Sequence, residues 1–244
     1  MFKNLKNQGA LGITLAAAGI LMITMGARQS IGLFVGPMNT STGLGIATIS
    51  FALAIAQFTW GAVQPIAGAA ADRWGPRAVL IGGVLMLAVG TAITPLMGTG
   101  PGLIFAQGLL VAAGAGAGSF SVLIGAAAQR MPAASRGSAS GVINAGGSLG
   151  QFVFAPIAQK LIQFVGWMGA MYTLAVMALL ALPLIGRVTN GGNTAHTATA
   201  ADTDGGLRRA LKEAMGDRSY LLLHAGFFTC GFHIAFLVTH LPTE

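Results

Sequence analysis

Seven apolar stretches of roughly 20 or more residues fill most of this 244-residue chain, at 9–37, 46–71, 78–97, 102–129, 138–163, 167–186 and 219–241. A helix rises about 1.5 Å per residue, so about 20 such residues cross the ~30 Å hydrocarbon core of a bilayer. The composition leaves little room for another solvent. Charged residues make up 8% of the chain and mean hydropathy is +0.74, against about 25% charged residues in a soluble domain. The expected fold class is an all-α membrane protein with lipid as its solvent.

The formal net charge of +7 does not point to nucleic acid. Basic residues sit in short loops, and no aromatic-interleaved basic patch is present. The single cysteine, Cys230, excludes an internal disulfide and supplies no metal cluster, so no cofactor is expected.

Charge placement sets the expected topology. The connections 39–45 and 98–101 carry no charge, whereas the alternate ones carry Asp72, Arg73 and Arg77, then Arg130 and Arg136. The long segment 187–218 carries Arg187, Arg208, Arg209, Lys212 and Arg218, and the N-terminus carries Lys3 and Lys6. Eleven of the 13 basic residues therefore fall on one side; Lys160 lies on the other and Arg28 within the first span. The positive-inside rule places the basic side in the cytoplasm of a cell with this protein in its inner (plasma) membrane. The first apolar run is too long for a signal-peptide core and lacks a polar cleavage region after it. Asn39-Thr40-Ser41 fits a glycosylation sequon by chance.

Residues 187–218 read as a cytoplasmic linker between a six-span half (1–186) and a seventh span (219–244). The linker begins with a Gly-, Thr- and Ala-rich stretch too polar to bury anything. It ends in a short amphipathic helix with Leu207, Leu211 and Met215 spaced four apart, suited to an anionic membrane face.

Thirty-seven glycines are explicable in lipid, where small residues let helix backbones approach. Gly114, Gly116 and Gly118, Gly32 with Gly36, and Gly146 with Gly150 are the expected packing surfaces. Pro37, Pro65, Pro95 and Pro156 are expected to break or kink their helices. Pro65-Ile66-Ala67 and Pro156-Ile157-Ala158 form a faint internal repeat.

Polar residues within the spans are the candidate functional groups. An arginine there costs about 2.5–3.5 kcal/mol on insertion scales, so it tends to face a cavity or a partner. Arg28 is such a residue, and none of the first six spans contains an acid to pair with it. It either snorkels to the outer surface or faces a cavity, where it favours an anionic substrate. Gln57 and Gln64 lie seven apart, as do Asn144 and Gln151 with Ser148 between them, so each set shares a helix face. These amides serve either as interhelical hydrogen bonds or as the lining of a substrate route. His224, His233 and His240 lie on the seventh span without metal-ligand spacing; His233 and His240, seven apart, are each a candidate proton carrier, and His233 is a candidate cavity residue.

The turn Gly68-Ala-Ala-Ala-Asp72-Arg73-Trp-Gly75-Pro-Arg77 resembles the loop between the second and third helices of major facilitator superfamily transporters. Gly68, Asp72, Arg73, Gly75 and Arg77 match in register, and Pro76 replaces a second basic residue. The stretches 28–37, 60–68 and 226–233 are similar to the monocarboxylate-transporter-like and oxalate/formate-antiporter-like branch. The resemblance implies a six-helix bundle, a linker and the first helix of a second half. It also implies transport of small organic anions with a proton or counter-anion. A basic residue on the first helix is common in the monocarboxylate group, and Arg28 would be its counterpart; the arginine motif of the fourth helix is absent, its place held by Gln107 and Gly108. A plan of two six-span halves implies a chain cut short, whose missing half is needed for activity.

Three functions compete. Carriage of a small carboxylate by alternating access uses Arg28, with Gln57, Asn144, Gln151 and His233 around it and the 68–77 turn as a gate. Efflux of hydrophobic compounds would not need Arg28. A non-transporting remnant or membrane sensor would need none of these. No acid–base dyad, metal cluster or phosphate-binding G-x-x-x-x-G-K-[ST] loop points to an enzyme or an ATP-driven pump.

Overall fold

The computed structural model describes residues 8–189 and 215–240. Every regular element among them is helical. Four apolar helices of membrane-spanning length come first: α1 (Gly9–Thr42), α2 (Ile46–Trp74), α3 (Pro76–Leu96) and α4 (Gly100–Ala128). A fifth run, Ala133–Thr189, is 57 residues long, nearly twice what a bilayer needs.

That run is two spans joined at one residue. Gly166 has φ 73° and ψ 169°, a backbone that a side chain would strain. The arms 133–165 and 167–189 are α5 and α6. Their outer ends meet again: Arg130, just ahead of α5, donates from Nη1 to the carbonyls of Arg187 (2.8 Å) and Val188 (2.9 Å) at the end of α6. The expected gap at 163–167 is therefore a one-residue reversal. A final helix, α7 (Arg218–His240), touches α2 and the 30–34 segment of α1. The linker from 190 to 214, with most of its amphipathic stretch, lies outside the described residues, as do Lys3 and Lys6.

Glycines set the helix register. A Cβ on Gly146 would lie 2.5 Å from the carbonyl oxygen of Ala18, and one on Gly150 would collide with that of Met22. Gly26 faces the ring of Phe154 in the same way. Both numbers in these pairs rise together, so α1 and α5 run parallel along a seam of near backbone contact. Along α3 and α4 they run oppositely: Gly83 meets Ala117, Gly114 meets Leu87 and Gly90 meets Val111. That pair is an antiparallel hairpin. Gly108 against Ala52 and Gly116 against Val63 set α2 parallel to α4. The Gly36 position differs from expectation, since a Cβ there meets nothing within 4 Å and forms no such seam.

Direction therefore alternates from α1 to α6. The turns at 75 and 129–132 and the end of α6 share one end of the bundle, while the turns at 43–45, 97–99 and 166 share the other. Arg73, Arg77, Arg130, Arg136 and Arg187 gather at the first end. Lys160 lies near the second.

The prolines act less uniformly than their chemistry alone implies. Helical assignment runs unbroken through Pro65 and Pro156. Pro95 lies in a 3-10 turn (Thr94–Leu96), and a 3-10 segment (Ser30–Phe34) just precedes Pro37. Pro37 cannot donate to the carbonyl of Leu33 and its ring crowds that oxygen, so the tighter turn there has a local cause. This segment begins two residues after Arg28.

Candidate functional site

Arg28 ends the first α-helical stretch of α1, Gln8–Gln29. Its side chain does not snorkel outward. It is 7% exposed and reaches across to α2. Nη1 donates to Gln29 Oε1 at 2.8 Å, and Nη2 donates to Gln57 Oε1 in a short hydrogen bond. The guanidinium also stacks on the ring of Trp60, with Cζ 4.4 Å from its centre. Gln57 and Trp60 are three residues apart on α2 and so present one face to the arginine.

These partners satisfy donors without cancelling charge. Both oxygens belong to neutral amides, and the aromatic face contributes about 2 kcal/mol when desolvated. The chain's six acids are Asp72, Asp202, Asp204, Glu213, Asp217 and Glu244, none of them within α1, α3, α4, α5 or α6. Asp72 shares α2 with Gln57 but lies 15 residues further on, roughly 22 Å along the axis. At that separation it does not neutralise Arg28.

Beside the guanidinium is a cavity lined by Arg28, Gln29, Ile31, Leu53, Ala56, Gln57, Gln107, Val111 and Ala112. It is a partly open cleft whose empty space, counted out into open solvent, is about 350 Å³. The lining comes from α1, α2 and α4, and is apolar apart from the arginine and three glutamines.

A family model described as the Major Facilitator Superfamily matches residues 17–244, nearly the whole chain. The chain belongs to the major facilitator superfamily. It is thus a multi-pass membrane protein of a transporter family, with the all-α fold that its composition implied. It is similar to the oxalate:formate antiporter of Oxalobacter formigenes, at 30% identity over 169 residues, 69% of this chain and 40% of that protein. It is also similar to a probable sulfoacetate transporter of Cupriavidus necator, at 30% identity over 140 residues, 57% of this chain and 31% of that protein. The matched regions thus span less than half the length of either relative.

Within this superfamily member the signature turn is built on one residue. Gly75 alone separates α2 from α3, at φ 86° and ψ 145°, where a Cβ would be strained. Pro76 takes the first position of α3, where its missing N–H costs nothing. That explains locally why a proline fits at this position of the turn. Asp72, Arg73 and Arg77 are exposed, and Arg73 lies over the Trp74 ring at 5.7 Å. A Cβ on Gly68 would meet nothing within 4 Å, so this glycine leaves its face open rather than packed.

The remaining site candidates do not converge on Arg28. Asn144 is exposed and Gln151 half-buried on α5, and neither lines the cavity. His233 is exposed on α7 and its Nδ1 lies 2.8 Å from the carbonyl of Thr229 on its own helix. Three residues that sequence reasoning did not place in the site are there: Gln29, Trp60 and Gln107. Trp60 was within reach of the helical spacing that picked out Gln57. Gln107 had no such signal, because its place depends on how α3 and α4 pair.

Proposed function

We propose that this chain forms the anion-holding part of a transporter for small organic anions, monocarboxylate-like in size, that works by alternating access. The observation that carries the reading is Arg28: a buried guanidinium on a cavity wall with no carboxylate among the described residues to neutralise it. The two similar proteins named for oxalate, formate and sulfoacetate support an organic anion as the substrate class.

A carboxylate presents two oxygens that match the two terminal nitrogens of a guanidinium, and such charge-assisted pairs are roughly twice as strong as neutral hydrogen bonds. Gln29 and Gln57 offer one amide oxygen to each of those nitrogens. The incoming anion replaces neutral acceptors by charged ones, so the desolvation cost of Arg28 is offset most fully when substrate is bound. Coupling runs through a counter-anion or a proton, with His233 on α7 as the candidate proton carrier. The basic end of the bundle faces the cytoplasm of the cell, and Asp72, Arg73 and Arg77 work there as a gate rather than as ligands.

Charge is the property to test. Acetate and acetamide have nearly the same shape, and only acetate is an anion. In the full-length protein, acetate is expected to quench or shift tryptophan emission near Arg28 with saturation, while acetamide at the same concentrations is not. Equal responses to the two would refute anion recognition and favour an apolar efflux cavity.

A further inference from the structure

Gln107 is 3% exposed and sits mid-way along an eight-residue π-helical segment of α4, Ile104–Val111. Such segments are rare and concentrate at functional sites. Its Nε2 donates to Thr94 Oγ1 at 2.9 Å. The Thr94 hydroxyl has one proton, which it donates to the carbonyl of Gly90 at 2.7 Å. Thr94 can therefore only accept from Gln107, and this fixes which end of the amide is nitrogen. A side-chain amide has two N–H donors and an acceptor oxygen. Thr94 uses one donor. Among the described residues the other N–H and Oε1 have no partner.

The rest of the cavity sharpens the point. The amide oxygens of Gln29 and Gln57 are taken by Arg28, and Ile31, Leu53, Ala56, Val111 and Ala112 are apolar. Gln29 and Gln57 keep N–H donors of their own but are held by the cation, so Gln107 is the polar lining group with free capacity that does not touch Arg28. It is held on α4, whereas Arg28 comes from α1.

We propose that Gln107 is a specificity-determining residue that reads a second polar group on an anion whose charged end is held by Arg28. The substrate class is then a short two-headed anion, a carboxylate bearing a hydroxyl, carbonyl or second acid group, in preference to a plain alkyl acid. This rests on the placement of the anion at Arg28. An unmatched buried amide is what penalises the plain acid: a site built to hydrogen-bond a substrate group rejects the analogue lacking it.

Glycolate and propionate test this, because a hydroxyl in one takes the place of a methyl in the other. Their dissociation constants are to be measured by tryptophan fluorescence titration on the full-length protein and on Gln107→Leu, Thr94→Val and Arg28→Ala. One neutral hydrogen bond corresponds to a preference of about three- to tenfold for glycolate. Gln107→Leu is expected to abolish that preference by weakening glycolate and by relieving the penalty that the unmatched amide places on propionate. Thr94→Val keeps the amide but removes its anchor, and is expected to lose part of the preference. Arg28→Ala is expected to lose both anions. An unchanged ratio in Gln107→Leu, or in Thr94→Val should the first variant not fold, overturns the proposal. So does the absence of any preference in the parent protein. Retention of both anions by Arg28→Ala would instead refute the anion placement on which it rests.

Discussion

At the scale of single residues, the account turns on a charge whose partners are neutral. Breaking one member of that set is informative because the direction of the effect depends on charge. Gln57→Glu would give Arg28 an ionised carboxylate inside its own protein, at the position where Gln57 Oε1 already accepts. Such a pair competes with substrate, so anion affinity is expected to fall about tenfold or more near neutral pH. It should recover as the pH drops and the introduced carboxyl takes up a proton, since the protonated form has no charge to offer. Gln57→Leu, which removes an acceptor without adding charge, should show no such pH dependence. Anion titrations across pH on both variants check this. The residue scale also shows what sequence could reach. Arg28, alone among spans without acids, identified itself by its cost. That it turns toward Gln57 and Trp60 rather than snorkelling was not legible, although the spacing of α2 puts those two residues on one face. The part of Gln107 was not legible either, because an amide in an apolar helix carries no sign of which neighbour will fix it.

At the scale of elements, glycine contacts decide the packing. A side chain on Gly150 meets the Met22 backbone across the α1–α5 seam, whereas one on Gly125 meets nothing within 4 Å. Gly150→Val is expected to destabilise the protein by about 1–3 kcal/mol through overpacking. Gly125→Ala should be neutral or slightly stabilising, since alanine is the better helix former. Thermal unfolding in detergent separates them. An unperturbed Gly150→Val protein would mean the seam is looser than described. Apolar length alone located α1 to α4 and the two arms 133–165 and 167–189. The one-residue reversals at Gly75 and Gly166 were not evident, because a glycine between two apolar runs reads equally well as a packing residue. Pro65 and Pro156 do not break their helices. The lost hydrogen bond of a proline need not end a long membrane-spanning helix.

At the scale of the whole molecule, alternating direction gathers five arginines at one end, and this sets the proposed orientation. Ala134 is exposed at that end and Thr99 is exposed at the other. In a Cys230→Ser background, Thr99→Cys is expected to react with an impermeant thiol reagent in intact cells, and Ala134→Cys only after the cells are opened. The reverse pattern would invert the topology. The exposed gate set at the α2–α3 turn is expected to act on the exchange between inward- and outward-open states. Asp72→Asn should therefore lower the transport rate of the full-length protein more than its apparent affinity for anion. A pure loss of affinity would make Asp72 a ligand instead.

The central claim is that Arg28 holds the anion, and one flux measurement addresses it directly. Full-length protein is reconstituted into liposomes loaded with unlabelled organic anion, and uptake of the labelled anion is followed for the parent, Arg28→Lys and Arg28→Ala. Lysine keeps the charge but loses the two-pronged donor, so Arg28→Lys is expected to retain uptake with weakened affinity. Arg28→Ala is expected to insert and fold yet show no uptake above protein-free liposomes. Uptake by Arg28→Ala at the parent rate and affinity would contradict the account.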